Sequence, residues 1–297
     1  MERIAPVLLI AATLLLTACG GTVSSAADSG APAQVQGYIE NKGSDTLVNL
    51  ALAWAEEYQN QFPGIQISVT GGGSGTGFEA LINETIDLAN ASRGIKPEEI
   101  EEAKSAGFEP IEFIVANDAI AVIVHPDNPV SELTLEQVSK IYKGEYTNWQ
   151  QLGGEDRPIV RLSRETNSGT HVYFLEEVVR LGSSEDKSIF SMDTLLLPSS
   201  EGIIAEVSSN PNAIGYDGLG YVTEHVKMIA LAKENGGDFI LPSAATVMNG
   251  QYPISRHLFM YTRGEPQGAL ADYLAWILAP QAQQIVEALG FVPVNGQ

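Results

Sequence analysis

The sequence predicts an α/β protein on three observations. From Gly37 onward, runs with the two-residue alternation of strands take turns with runs whose apolar residues recur at helical spacing. One run, AIAVIV at 119–124, is apolar throughout, as suits a strand buried on both faces. Hydrophobic residues make up 44% of the 297, ample for a substantial core, and this excludes disorder for the bulk of the chain. At roughly 150 residues per domain, the length suggests about two domains.

The N-terminus reads as a targeting segment. After Arg3, residues 4–16 (IAPVLLIAATLLL) form an apolar run. It is shorter than the roughly 18–20 residues that span a bilayer and fits the apolar core of a signal peptide. Leu16-Thr17-Ala18-Cys19-Gly20 follows and resembles the bacterial lipobox, where cleavage precedes the cysteine and its thiol carries a lipid. Cys19 is the single cysteine, so no disulfide can form within the chain and metal sites built from several cysteines are excluded. Residues 1–18 are expected to be a lipoprotein signal peptide. Residues 19–37, small and polar, are expected to be a flexible lipid-anchored tether. The expected location is extracytoplasmic, anchored to the cell membrane on its periplasmic side or outer face.

Beyond the tether the elements follow in order. Leu47, Leu50, Ala51, Trp54 and Tyr58 share one helical face, with Ser44 or Asp45 as N-cap. IQISV at 65–69 alternates as a half-buried strand and runs straight into GGGSGTG at 71–77, after which 78–83 reads as helix. A short strand over 87–91 ends in Ser92-Arg93, and Pro97-Glu98-Glu99 opens a helix with proline and acids in its first turn. After the buried strand, 134–142 reads as helix with a capping box from Thr134 to Gln137. Residues 158–162 read as a strand leading to RETNSGT at 164–170 and a helix from His171. A helix is expected near 203–207, strands at 213–216 and 258–262, and closing helices over 266–278 and 281–289.

Charge narrows the function. Against 37 Asp and Glu stand 16 Lys and Arg, a formal net charge of -21. That argues against nucleic acid, whose phosphates need dense cationic neutralisation, and against an anionic membrane surface. A small anion is different, because a helix N-terminus presents N–H donors and partial positive charge without any cation. Three small, hydroxyl-bearing segments open helices here: Gly43-Ser44-Asp45-Thr46, the glycine-rich loop around Ser74, and Ser168-Gly169-Thr170. Glycine admits close backbone approach, and Ser and Thr add short donors. Each segment alone reads as an ordinary cap. Together, with Arg93 and Arg164 close by in sequence, they point to an oxyanion site, since the arginine fork suits two oxygens of one ion. Charges beyond about 8 Å are largely screened at physiological ionic strength, so the acidic surface is expected to slow association rather than weaken the bound state.

Six segments then carry a resemblance: GSDTLVNLALAWAEEY (43–58), GGGSGTGFEALINETIDLANASR (71–93), DAIAVIVHPDNPVSELTLEQVSKIYKGEYTNW (118–149), RETNSGTHVYF (164–174), NAIGYDGLGYV (212–222) and YPISRHLFMYT (252–262). From about residue 38 to the C-terminus, in consistent order, the chain resembles the phosphate-binding component of bacterial phosphate ABC transporters. The resemblance implies a type II periplasmic binding protein fold, with two α/β lobes joined by crossing strands and closing over the ligand. One lobe would be 38–116 plus 253–297 and the other 117–252. Phosphate contacts are implied at Ser44, Thr46, the Leu47 N–H, Ser74 and Ser92 with the adjoining Arg93, and at Arg164, Ser168, Gly169 and Thr170. Where the best-known members carry an aspartate that accepts the proton of hydrogen phosphate and repels sulfate, Ser92-Arg93 stands here. The Ala-Ser-Arg ending resembles another branch of the family. Asn167 replaces a glycine and tolerates left-handed backbone. Proton acceptance then falls to Ser92 or to Asp45, the latter otherwise a helix cap. The implied protein is a monomeric receptor without cofactor or metal, not an enzyme, which hands phosphate to permease subunits driven by a cytoplasmic ATPase.

Rival readings fit less well. No lysine follows the glycine loop as a Walker A motif requires, and Thr76 stands where the G-x-S-x-G elbow of hydrolases needs its last glycine. His125, His171, His225 and His257 lack metal-pair spacing, and no D-x-[DN]-x-[DN]-G calcium loop occurs. The alternatives kept are a receptor for sulfate, molybdate or tungstate, a phosphate-ester hydrolase, and an adhesion or signalling lipoprotein.

Overall fold

A computed structural model describes residues 37–294. The signal peptide, Cys19 and nearly all of the tether lie outside the described residues; Gly37, expected to end the tether, opens the first strand.

Strand and helix alternate from the start: β1 (Gly37–Gly43), a 3-10 turn (Asp45–Leu47), α1 (Val48–Gln61), β2 (Ile65–Thr70), α2 (Ser74–Ile82), β3 (Leu88–Ala91), α3 (Pro97–Ser105) and β4 (Pro110–Val124). Next come β5 (Glu132–Thr134), α4 (Leu135–Tyr142), β6 (Val160–Arg164) and α5 (Gly169–Phe174), which continues as a π-helical turn over Leu175–Val179. The remainder comprises β7 (Leu195–Leu197), α6 (Ser200–Ser209), β8 (Ala213–Gly218), β9 (Lys227–Met228), β10 (Ala230–Ala232), α7 (Ala244–Met248), β11 (Ser255–Arg263), α8 (Gly268–Ile277) and α9 (Pro280–Ala288).

The strands hydrogen-bond in the order β2-β1-β3-β11-β4-β8-β6-β7, with β9 also on β4, while β5 and β10 pair separately. β1 runs parallel to both its neighbours, and β11 runs antiparallel to β3 and β4. The 15-residue β4 is the pivot of this order. Residues 110–119 pair with β11, and from Ile120 to Val124 the strand pairs with β8 instead. This is the two-lobed α/β architecture, with β4 and β11 as its crossing strands. Each side has its own apolar core, as buried helix faces and sheet faces require. Leu47, Leu50, Trp54 and Tyr58 pack with Met260, Tyr273 and Trp276. Val122, Val124, Val138, Tyr142 and Trp149 pack with Phe174 and Tyr216. Two of these core tryptophans donate their indole N–H groups to carbonyls, Trp54 to Ala282 at 2.9 Å and Trp149 to Asn212 at 3.0 Å.

Several boundaries differ from the sequence reading for identifiable reasons. Neither Ser44 nor Asp45 caps α1 by its side chain; Leu47 occupies the N-cap, and both side chains are engaged elsewhere. α2 begins at Ser74, ahead of the expected 78, because the glycine loop itself is wound into the first helical turn. α5 begins at Gly169, before His171. The capping box of α4 is present as expected, with Gln137 N–H donating to Thr134 Oγ1 at 3.2 Å and Thr134 N–H to Gln137 Oε1 at 2.8 Å.

Candidate functional site

Three chain turns meet where the strand ends converge. β1 ends at Gly43 and delivers Ser44 and Thr46. β2 feeds the glycine loop and Ser74, and β3 ends directly before Ser92. Ser44 Oγ donates to Ser92 Oγ at 2.8 Å, and Ser74 Oγ lies 3.3 Å from Ser92 Oγ while accepting the Ser92 N–H at 3.0 Å. From the other side β6 ends at Arg164, and the turn beyond it supplies Gly169 and Thr170. Thr46 Oγ1 and Thr170 Oγ1 lie 2.9 Å apart. Ser44, Thr46, Ser74, Ser92 and Thr170 are all buried. Gly169 is required by close approach: a Cβ there would sit 2.3 Å from Ser74 Oγ and 2.6 Å from Ser92 Oγ. Gly73, at φ 94°, has the left-handed backbone that glycine accepts, and a Cβ there would meet Asn167 O at 2.8 Å.

Arg164 is 1% exposed; both of its Nη groups meet acceptors, while its Nε has no hydrogen-bond partner among the described residues. Nη1 donates to Ser200 Oγ at 2.8 Å and lies 3.5 Å from Asp217 Oδ2. Nη2 donates to Asp45 Oδ2 at 2.7 Å and to Pro198 O at 2.9 Å. Asp45 Oδ1 accepts the Gly72 N–H at 3.0 Å. Asn167 adds two clasps to the glycine loop, donating through Nδ2 to Gly72 O at 2.8 Å and accepting the Gly75 N–H on its carbonyl at 3.1 Å. Ser168 acts as N-cap of α5, its Oγ accepting from His171 N–H at 3.4 Å.

Two expected contacts are disposed differently. The Leu47 N–H donates to Ser44 O at 3.1 Å. Arg93 turns its guanidinium away from the hydroxyls: Nη1 and Nη2 form a fork onto Glu99 at 2.8 and 2.6 Å, and the group lies over the Phe78 ring at 5.0 Å. Its aliphatic stem borders Gly169, with Cγ 3.2 Å from where a Cβ would stand.

Arg256, on β11, was not singled out by the sequence. Its Nη1 donates to Ser92 O at 2.9 Å, and Nη2 lies 2.9 Å from Thr170 Oγ1, 3.4 Å from Thr46 Oγ1 and 3.1 Å from Asp118 Oδ2. Asp217 and Ser200 also went unread; Ser200 Oγ and the Gly218 N–H both donate to Asp217 Oδ1. The only local signal was that Arg256 and Asp217 fall inside two of the segments that carry the family resemblance. Burial pushes the Asp118 carboxyl up to about 6 against the pull of Arg256, and burial likewise raises Asp217 against Arg164. Burial also lowers His171, whose Nδ1 lies 2.8 Å from Arg164 O and 3.0 Å from Ser163 Oγ. Among the described residues, no group of three or more His, Cys, Asp and Glu is placed to hold a metal ion.

Buried hydroxyls, helix-opening backbone and the Arg256 guanidinium together make a donor-rich cradle that can take an oxyanion. The sequence pattern of the PBP superfamily domain matches residues 28–281. The phosphate-binding protein PstS of Pseudomonas aeruginosa is 35% identical over 277 residues, covering 88% of this chain and 84% of that protein. The chain belongs to the PstS family. PstS of Bacillus subtilis is 28% identical over 300 residues, covering 99% of this chain and 95% of its own. Among solved structures, an ABC transporter substrate-binding protein of Clostridium perfringens with bound phosphate superposes at a TM-score of 0.77 with 31% identity. That match covers 87% of this chain and all of that one, 100%. An ABC-type phosphate transport receptor from Vibrio cholerae superposes at 0.67 with 27% identity, over 86% and 99% of the two chains. These two solved structures thus share this architecture along nearly the whole described chain.

Proposed function

We propose that this protein is an extracytoplasmic receptor that captures inorganic phosphate between its two lobes and delivers it to an ABC permease for import. The observation that carries the reading is the meeting of Ser44, Thr46, Ser74, Ser92 and Thr170 around the Gly169 backbone, with Arg164 paired to Asp45, the residue between Ser44 and Thr46. The phosphate named for its relatives and for a structural neighbour supports the same ligand. The lobes are 38–116 with 253–297 and 117–252, a division supported by the exchange of β4 partners at Ala119 and Ile120. Phosphate takes the hydroxyls, the Ser168-Gly169-Thr170 backbone and Arg164. Closure strips water from the ion and sets fixed dipoles around it, where low dielectric strengthens each contact. The bound charge is met mainly by donors rather than net cationic charge, because Asp45, Asp118 and Asp217 surround Arg164 and Arg256.

Discrimination against sulfate rests on an acceptor for the proton of hydrogen phosphate. Asp45 supplies it in this reading: its carboxylate already takes the Gly72 and Arg164 donors, and each oxygen keeps a further lone pair. The receptor acts as a monomer held by a lipid on Cys19, and it turns over no substrate. Titration calorimetry of the ligand-stripped protein with phosphate and with sulfate, alongside Arg164→Ala, tests the whole. One-to-one phosphate binding, weak sulfate binding and loss in the variant are expected. Heat from sulfate, molybdate or tungstate in place of phosphate, or hydrolysis of a chromogenic phosphate ester, would replace the reading.

A further inference from the structure

The geometry points to Arg256 as the second phosphate-binding arginine of this site, held ready by Asp118, with Arg93 excluded from that role. The inference rests on the phosphate reading above and deepens it. Arg256 and Asp118 are directly opposed residues of the crossing strands β11 and β4, so the carboxylate fixes the guanidinium from the neighbouring strand. The arginine is 7% exposed and the aspartate fully buried. From there the guanidinium reaches both halves of the cradle: Nη1 holds the carbonyl of Ser92, and Nη2 stands against the hydroxyls of Thr46 and Thr170.

Donor counting makes this position a ligand position. Nη2 carries two hydrogens, yet three oxygens lie within 3.4 Å of it. Asp118, as the ion-pair partner, takes one hydrogen, and the two threonine hydroxyls share the other while bonding each other. An anion oxygen seated between Thr46 and Thr170 accepts that second hydrogen and both hydroxyl protons together, with the Asp118 pair intact. Charge-assisted bonds of this kind are roughly twice as strong as neutral ones. Arg93 offers nothing comparable, because Glu99 occupies its fork and Phe78 covers its face.

Access points the same way. Arg256 lines an open cleft of about 490 Å³ together with Arg93, Lys96, Tyr173, Glu176 and His257; the Nε groups of Arg256 and Arg93 both lack a hydrogen-bond partner among the described residues, but only Arg256 also donates toward the cradle hydroxyls. On the opposite side, Asn167 and Asp45 bind the glycine loop and Arg164, closing the chain turns on one another. Arg256 thus both borders this cleft and stands against the hydroxyls of Thr46 and Thr170.

The test is phosphate calorimetry on the wild type, R256Q and R256K, with ligand-free melting curves as the measure of folding. R256Q is expected to weaken phosphate by at least tenfold while its ligand-free melt stays cooperative. R256K, which keeps the charge and loses the fork, should fall between R256Q and the wild type. A crystal structure of the phosphate complex should hold a phosphate oxygen at about 3 Å from Arg256 Nη2. If R256Q fails to fold, R256K and the complex carry the test. Wild-type affinity in a folded R256Q or R256K, or a phosphate beyond reach of Arg256, overturns the inference while the phosphate reading stands. A wild type that binds no phosphate overturns that reading first.

Discussion

Gly169→Ala perturbs the cradle with a single methyl group. A Cβ at this position would lie 2.3 Å from Ser74 Oγ and 2.6 Å from Ser92 Oγ. Ordinary contact begins at 3.4 Å, so the overlaps are 3.4 - 2.3 = 1.1 Å and 3.4 - 2.6 = 0.8 Å. Both oxygens are fully buried, and the Ser92 N–H bond to Ser74 Oγ ties them together, so neither moves aside independently. Overpacking of this kind costs about 1–3 kcal/mol, equivalent to roughly 5- to 150-fold in affinity if it is felt only when the two sides of the cradle meet. Folding itself should be spared. Gly169 has no positive φ and occupies the first position of α5, where alanine is the better helix former by up to about 1 kcal/mol. Calorimetric phosphate titration and thermal unfolding of the same sample separate the two effects. A folded variant whose phosphate affinity stays within about threefold of wild type, below the range derived from overpacking, would refute the packing argument.

Three further outcomes follow from the charges. Asp45→Asn should reduce the preference for phosphate over sulfate by roughly ten- to a hundredfold, the worth of a hydrogen bond to a charged group; competition calorimetry reads this, and an unchanged ratio removes Asp45 as proton acceptor. Asp118 holds its proton in the native state between the ordinary value of 3.8 and about 6, where the unfolded chain has released it. Its contribution is therefore present at the acid end of that window and lost as pH rises through it. Urea unfolding from pH 4 to 6 should show wild type losing stability relative to Asp118→Asn, and parallel curves would contradict the shift. Finally, with a net charge of -21, stopped-flow association of phosphate should quicken modestly as salt screens the acidic surface; a steep fall would contradict a donor-based site.

What the sequence made legible was local chemistry. Thr134 and Gln137 cap α4 because both partners of the box lie within one turn. The hydroxyl segments at 44–46, 74 and 168–170 were recognisable because each announces itself by small residues before a helix. α2 escaped at its start because Ser-Gly-Thr-Gly has poor helix propensity. Tertiary contact favours the turn: a Cβ at Gly77 would meet Lys42 O and Gly43 Cα at 2.9 Å, so glycine lets α2 lie directly on β1. Ser44 and Asp45 read as caps because a serine or aspartate before a helix usually is one, yet their acceptors and donors lie on Ser92, Gly72 and Arg164. Arg256 is the extreme case. Its partners stand 86 residues away at Thr170, 138 at Asp118 and 164 at Ser92, and no local pattern can encode such a meeting.

The pairing of β11 with β3 and β4 also sets a timetable. A chain emerging N-terminus first has β1, β2 and β3 long before residues 255–263 exist, so β3 waits with one edge uncovered while some 160 residues are added. Pairing of such high sequence separation folds slowly and leaves intermediates exposed to aggregation. The cradle is therefore among the last parts of the molecule to be completed, and a chain held extended until its C-terminal quarter is available avoids that hazard.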